Sequence, residues 1–376
     1  MSKSAPFFII GSERSGTTLL MALLGEHPRL AVPEVTWFYP RFRAYLHTYG
    51  DLRHPPNLRT LVSEIIFGLK TPFFGLPANP RTIVDELLNR ISRPDFSAVV
   101  SAVLEYYADA VGKPRWGEKT PHHLYYVKEI LEDFPDAKFL HLTRDGRDVA
   151  ADQLQSAFGP RNVTAAVGIW RRTQAEAARW RQTVPPAQWL DVQYEDLARE
   201  PERIARQALG FLEENYDPTV LNFHQGETAR RRAQTRDHRA LGEPVNESHI
   251  GIYRRLLSPR DIAIFHGIAG NELDAAGYAD TADREPLAPA EIARQEDLDE
   301  RIRAATLNAP QGHIVYESYN DWLADQWEER RRRGVWHGTP IPRAWEDEFL
   351  RGQRAPAEWK RAFAIPRQYE AAELVL

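Results

Sequence analysis

Apolar residues along this chain fall into two rhythms, and their alternation sets the expected fold. Phe7 to Ile10 is an unbroken apolar run, the pattern of a strand buried on both faces of a parallel sheet. Thr17 to Glu26 follows with Leu19, Leu20, Leu23 and Leu24 at helical spacing, and His27-Pro28 ends that helix. The pairing then recurs. Pro121 to Phe134 predicts a helix with Leu124, Val127, Ile130 and Leu131 inward, and Pro135-Asp136 turns it into the strand Lys138 to Thr143. A further helix begins near Gly146, a long amphipathic one covers Val163 to Gln182, and Trp189 to Val192 reads as a short strand. Strands alternating with helices predict an α/β fold with a mostly parallel central sheet flanked by helices.

Two regions depart from this rhythm. Aromatic residues crowd together from Trp37 to Tyr49 (Trp37, Phe38, Tyr39, Phe42, Tyr45, Tyr49), and a Pro-rich stretch of mixed helical pattern runs from Asp51 to Lys113. An insertion of that kind often covers a site, so 51–113 is expected near an acceptor site. Composition shifts again near residue 280, where Pro-rich joints, the run Glu328 to Arg333 and Trp322, Trp327, Trp336, Trp345 and Trp359 appear. The expected organisation is therefore a main domain over 1–280 and a mainly helical C-terminal extension over 281–376. The charge run reads as a solvated helix face. The interleaved Trp call for a packing partner, which is the chain's own domain, a second copy in a homodimer, or the acceptor.

Composition narrows the function. With 376 residues, 43% of them hydrophobic, and 16 Phe, 14 Tyr and 10 Trp, the chain can bury a large core. A net charge of -5 leaves no global basic field, so nucleic acid is not an expected partner, whereas a nucleotide-sized anion needs only a local pocket. There is no Cys, which removes disulfides and thiolate metal sites, and no His, Asp or Glu spacing suggests a metal site, so no metal is expected. No stretch approaches the length of a membrane span, and no apolar signal core precedes the first strand. The expectation is a soluble, cytoplasmic protein.

The candidate chemistry begins where the first strand meets its helix. Residues 7 to 18 read Phe-Phe-Ile-Ile-Gly-Ser-Glu-Arg-Ser-Gly-Thr-Thr. A turn from Gly11 to Gly16 can aim successive backbone N–H groups into one concavity, and the helix it opens adds the positive end of its dipole, so an anion belongs there. The spacing of Gly11 and Gly16 matches a Walker A loop, but Thr17 replaces the Lys that would reach the β- and γ-phosphates, which argues against an ATPase, GTPase or kinase. The cation inside the loop is Arg14, expected on an exposed turn.

This order, Arg-Ser-Gly-Thr-Thr after a short strand, resembles the phosphosulfate loop of sulfotransferases that use 3′-phosphoadenosine 5′-phosphosulfate (PAPS). The strand Lys138 to Thr143 ends at Arg144-Asp145-Gly146-Arg147-Asp148-Val149, similar to the element that binds the 3′-phosphate in that family. Val192 to Leu197 resembles the segment whose Tyr contacts the adenine, and Pro244-Val245-Asn246 with Gly251-Ile252-Tyr253-Arg254 is like the loop that closes over the nucleotide. Together these cover about residues 6 to 278. The resemblance implies a P-loop NTPase-like sulfotransferase fold, PAPS as donor, and no metal. It implies cofactor contacts from Ser12, Arg14, Ser15, Gly16, Thr17, Thr18, Arg144, Asp152, Tyr194 and Arg254. Arg14 is suited to neutralise charge on the leaving phosphate, and Lys119, in Trp116-Gly-Glu-Lys-Thr-Pro121, matches a Lys that the family places next to the transferring sulfuryl group.

Two positions depart from the family pattern. In tyrosylprotein relatives a Glu follows the first helix and serves as base. A gapless match puts Val35 there and Glu34 one residue earlier, so the base candidates are Glu34, by a one-residue loop shift, and His122 or His123, close to where cytosolic relatives carry a catalytic His. The family usually has Ser where this chain has Asp152, and an ionised carboxylate about 4 Å from a phosphate charge repels it by about 4 kcal/mol at an effective dielectric near 20. Either Asp152 turns away onto Arg147 or the nucleotide is held differently. The acceptor is expected to be a hydroxyl, or in second place an amine, on an apolar or glycosylated small molecule, with the Trp37 to Tyr49 cluster as candidate contact. The rival classes are a P-loop-like small-molecule kinase and a non-catalytic nucleotide-binding protein.

Overall fold

The computed structural model describes residues 5–68, 80–156, 159–278 and 286–307. The charge run and the C-terminal Trp residues lie outside these. Chain order is β1 (Phe7–Gly11), α1 (Thr17–Gly25), β2 (Leu30–Ala31), α2 (Pro55–Gly68), α3 (Pro80–Arg90), α4 (Phe96–Ala110), β3 (Arg115–Lys119), α5 (Val127–Asp133), β4 (Lys138–Thr143), α6 (Gly146–Gln155), α7 (Val163–Thr183), β5 (Trp189–Gln193), α8 (Tyr194–Arg199), α9 (Pro201–Phe211), α10 (Glu227–Ala233), α11 (Tyr253–Leu256), α12 (Pro259–Ala275) and α13 (Pro289–Leu307). No helix among the described residues is long and apolar enough to cross a membrane.

These residues form two compact units. One draws on the described residues up to Val35 and from Val111 to Asp299, the other on those from Thr36 to Ala110 and from Glu300 to Leu307. In the first, five strands pair in parallel in the order β2-β3-β1-β4-β5. The expected α/β architecture is thus observed, with β1 central. From β1 the chain moves to β2 and β3 on one side, then to β4 and β5 on the other, so the carboxyl end of β1 is the switch point where open α/β sheets bind ligands.

Each sheet face has its own core. Phe7 and Ile9 of β1, Leu140 and Leu142 of β4 and Val192 of β5 bury against Leu20, Leu23 and Leu24 of α1 and Ile204 and Ala208 of α9. On the opposite face Phe8 meets the rings of Trp116, His123, Phe134 and Phe139. Beyond it, α6, α7 and α12 share a cluster around Trp170 and Phe265.

Strand β3 had no apolar signature because its sequence, Arg-Trp-Gly-Glu-Lys, is mostly polar. It buries those charges by pairing them: Arg115 donates to Ala5 O, Leu212 O and Glu214, and Glu118 pairs with His123. Gly117 lets Phe7 cross it, since a Cβ there would lie 2.2 Å from the ring. The predicted single helix from Pro121 to Phe134 is instead a tight 3-10 segment, Pro121–Tyr126, followed by α5, with the break at Tyr126 (φ -120°).

In the second unit, α2, α3 and α4 bury Leu61, Ile65, Ile83, Leu87, Val99 and Val103. All six aromatic rings of the Trp37 to Tyr49 cluster are buried. Tyr39 packs edge-on against Phe96 and the Tyr49 hydroxyl donates to Glu64, so these rings serve as core.

Candidate active site at the end of the central strand

The turn after β1 is built by backbone geometry that only certain residues tolerate. Gly11 (φ 149°) passes so close to β4 that a Cβ would lie 2.3 Å from Leu142 O. Arg14 takes φ 67° and Gly16 φ 97°, both left-handed, which curls the chain into a cradle. Ser15 closes the turn, its N–H and Oγ both donating to Ser12 O at 3.3 and 2.6 Å. Helix α1 then starts at Gly16 with no side-chain cap, leaving its first N–H groups for something other than a side chain. Gly16 also lies against the Tyr194 ring, at a distance a Cβ would close to 2.5 Å.

Three charged candidates converge on this loop. Asp152 bridges both arginines: Arg14 Nη2 donates to Oδ1 at 2.8 Å and Arg144 Nη1 to Oδ2 at 2.9 Å. Arg144 Nη1 also donates to Arg14 O at 2.8 Å, Nη2 donates to His249 O at 2.7 Å, and the guanidinium stacks over Tyr194, 4.6 Å from the ring centroid. Burial would push the Asp152 carboxyl up, but Arg14 and Arg144 together outweigh it and hold it below its ordinary range. Arg14 is therefore not on an exposed turn as its sequence position suggested, since its side chain is only 14% exposed. Nor does Asp152 turn onto Arg147, whose guanidinium forks onto Asp145 at 2.9 and 2.6 Å and reaches His266.

Strand alternation separates the remaining candidates. Lys119 pairs with Ile9 in the ladder and Glu118 with Phe8, so they point to opposite faces. Lys119 lies on the α1 side, buried, with Nζ donating to Thr18 Oγ1 at 3.3 Å. His123 lies on the other side, fully buried, with Nδ1 2.7 Å from Glu118. The structure thus brings Lys119 to Thr18 and holds His123 away from both. His122 stands nearer the loop, Nδ1 3.7 Å from Glu13. Burial pushes its pKa down, with Glu13 opposing. Glu34 is buried and accepts from Arg231 at 3.0 Å and Arg232 at 2.8 Å.

A comparison with known families decides what this arrangement belongs to. The model of the sulfotransferase family matches residues 6–218, more than half of the chain and all five strands. This chain belongs to the sulfotransferase family. The chain is 27% identical over 263 residues to an uncharacterised protein of Aquifex aeolicus, a match covering 66% of this chain and 30% of that protein. It is 25% identical over 228 residues to the protein-tyrosine sulfotransferase of Drosophila melanogaster, covering 58% of this chain and 40% of that one. It therefore spans less than half the length of either relative. Among solved structures it is similar to the sulfotransferase domain of the Synechococcus PCC 7002 olefin synthase, with 21% identity, a TM-score of 0.48, and coverage of 72% of this chain and 97% of that one.

The segment before α11 is tied to the same strand end. Asp148 accepts from Gly251 N at 2.7 Å and Tyr253 N at 3.0 Å, and burial pushes its pKa up. Tyr253 carries the guanidiniums of Arg147 and Arg254 at 4.4 and 4.7 Å from its ring, with Arg254 exposed at the surface. Sequence reasoning missed the anchoring role of Asp148, although it lay inside the Arg144 motif. It also missed Arg231 and Arg232, whose only signal was a triple Arg in an amphipathic stretch. Among the described residues no cluster of His, Asp or Glu has the arrangement of a metal site.

Proposed function

We propose that this sulfotransferase moves a sulfuryl group from PAPS to a hydroxyl, or in second place an amine, of a small-molecule, lipid or glycosylated acceptor. The observation that carries the reading is the join of Lys119 to Thr18 beside the left-handed loop, which puts a buried cation at the mouth of an anion cradle. The loop from Ser12 to Thr18 would hold the 5′ end of the donor, Arg144 its 3′-phosphate and Tyr194 its base, with Arg254 on the closing segment. The uncapped start of α1 and the two arginines fit such a polyanion.

In the reaction the acceptor oxygen forms a bond to sulfur while the bond from sulfur to the phosphate oxygen breaks. Negative charge builds on the leaving phosphate, which Arg14, Lys119 and the loop N–H groups neutralise. The acceptor proton goes to a base. Glu34 fills that role in our reading: it is buried directly after β2, and Arg231 and Arg232 fix its orientation. His122 is the alternative: burial favours its neutral, proton-accepting form, and its ring lies 3.7 Å from Glu13 of the loop. The lack of Cys fits a reducing compartment, and we place the protein in the cytoplasm.

Calorimetry with 3′-phosphoadenosine 5′-phosphate tests the donor. The expected result is binding without Mg²⁺ and well ahead of ATP, and equal or tighter binding of Mg-ATP would favour the kinase class instead.

A further inference from the structure

One carboxylate holding two guanidiniums from separate motifs is the arrangement that a bridging phosphate would otherwise make. Asp152 offers one oxygen to Arg14 at 2.8 Å and the other to Arg144 at 2.9 Å. Both terminal nitrogens of Arg144 are engaged: Nη1 also reaches Arg14 O, and Nη2 donates to His249 O. A phosphate that pairs with Arg144 through Nη1 and with Arg14 through Nη2 therefore takes the positions of the two Asp152 oxygens. From this geometry we infer that Asp152 is a specificity-determining residue, an internal anion that occupies the seat of the donor's 3′-phosphate and is displaced when that phosphate binds.

The charge count explains the effect on selectivity. With Asp152 in place the two arginines carry one net positive charge, and without it two. A phosphate dianion arriving beside an undisplaced carboxylate meets repulsion, so the carboxylate has to leave. It can. Its side chain is 18% exposed and sits on the second turn of α6, where a rotamer change carries it toward water. Displacing it costs the two ion pairs, so the site binds 3′-phosphorylated nucleotides more weakly than its two arginines alone would allow, while a nucleotide with only a 5′-phosphate leaves the Arg144 half of the bridge in place. Asp152 thus sets how far the site favours a nucleotide with a 3′-phosphate over one without.

This inference rests on the donor proposed above for its nucleotide arm, and the test separates the two. Wild type and Asp152→Asn would be titrated calorimetrically with 3′-phosphoadenosine 5′-phosphate, adenosine 5′-phosphate and inorganic phosphate, with thermal melts to confirm folding. The variant should bind 3′-phosphoadenosine 5′-phosphate at least tenfold tighter, with a clearly smaller gain for adenosine 5′-phosphate, which meets Arg14 but not Arg144. Equal gains for both nucleotides, or no gain for the first, would overturn the inference. If neither protein binds either nucleotide but the variant gains for inorganic phosphate, the donor proposal fails and the competing anion stands. Should the variant not fold, a structure of the wild type with 3′-phosphoadenosine 5′-phosphate decides: Asp152 still bonded to both arginines in that complex refutes displacement.

Discussion

Replacing Arg14 by Ala separates the chemical role of this side chain from its structural one, because the structure bounds each independently. Ala, like Arg, is a non-glycine residue at φ 67°, so backbone strain is common to both and cancels. What the fold loses is one half of the Asp152 bridge, with side chains 14% and 18% exposed, while Arg144 still holds the carboxylate. That lies between an exposed pair, worth below about 1 kcal/mol, and a broken buried pair at roughly 3–5, and the remaining partner places it near 1–2 kcal/mol. What catalysis loses is a donor aimed at the leaving phosphate, for which about 10²–10³ in rate, or ~2.7–4 kcal/mol, is the expected scale. Urea denaturation measures the first quantity. Initial rates of labelled sulfuryl transfer from PAPS to the best acceptor of a panel of phenols and long-chain alcohols measure the second. A variant that keeps more than about a tenth of the rate, a loss under ~1.4 kcal/mol, refutes the assigned role. One that loses more than ~4 kcal/mol of stability makes Arg14 a structural keystone and refutes the partition.

Gly16→Ala should destabilise the protein by about 2–4 kcal/mol and abolish nucleotide binding, since the methyl meets Tyr194 at 2.5 Å in a left-handed backbone; a melting temperature within a degree or two of wild type would contradict this. Glu34→Gln should depress turnover while leaving the affinity for 3′-phosphoadenosine 5′-phosphate within about twofold, because a base acts on the acceptor. A near-normal rate there beside a collapse in His122→Ala moves the role to His122. Asp191 is pushed up by burial, but hydrogen bonds from His141 and Arg181 outweigh it and hold it far below the ordinary carboxylate range. Its folded pKa lies below its unfolded one, so its stabilisation is full at neutral pH and lost as pH falls below about 4. Denaturant melts should show Asp191→Asn about 1 kcal/mol less stable at neutral pH, solvent screening of this part-exposed pair keeping the loss small, with the gap closing in acid, and a gap independent of pH would refute the pairing.

What the sequence made legible follows from which signals are local. The strands β1, β4 and β5 and the helices α1, α6 and α7 announced themselves by apolar runs and periodicity, and the structure places them within a residue or two of their predicted ends. Strand β3 did not, because its buried charges are satisfied by partners distant in sequence, Glu214 lying 99 residues from Arg115. The face of each site residue was equally hidden. His123 follows Lys119 by four residues, yet ladder alternation at Glu118 and Lys119 sends them to opposite sides of the sheet. The loop residues, by contrast, were readable: a Gly-rich turn between a strand and a helix has few geometries open to it.

The Arg14–Asp152–Arg144 cluster shows why topology had to be known before the site could be. Arg14 and Arg144 are 130 residues apart, and no spacing rule links them. They meet because β1 and β4 are hydrogen-bonded neighbours running in the same direction, with Gly11 opposite Leu142, so the residues just past each strand end emerge at the same edge. Asp152 enters from the second turn of the helix that follows β4, and the N-cap bond from Arg147 N to Asp145 at 2.9 Å fixes where that helix starts. The position where the residue type departs from the resembling family is thus the one where the fold concentrates charge. A repulsion inferred from residue types alone becomes, once the strands are ordered, a competition between two anions for the same pair of cations.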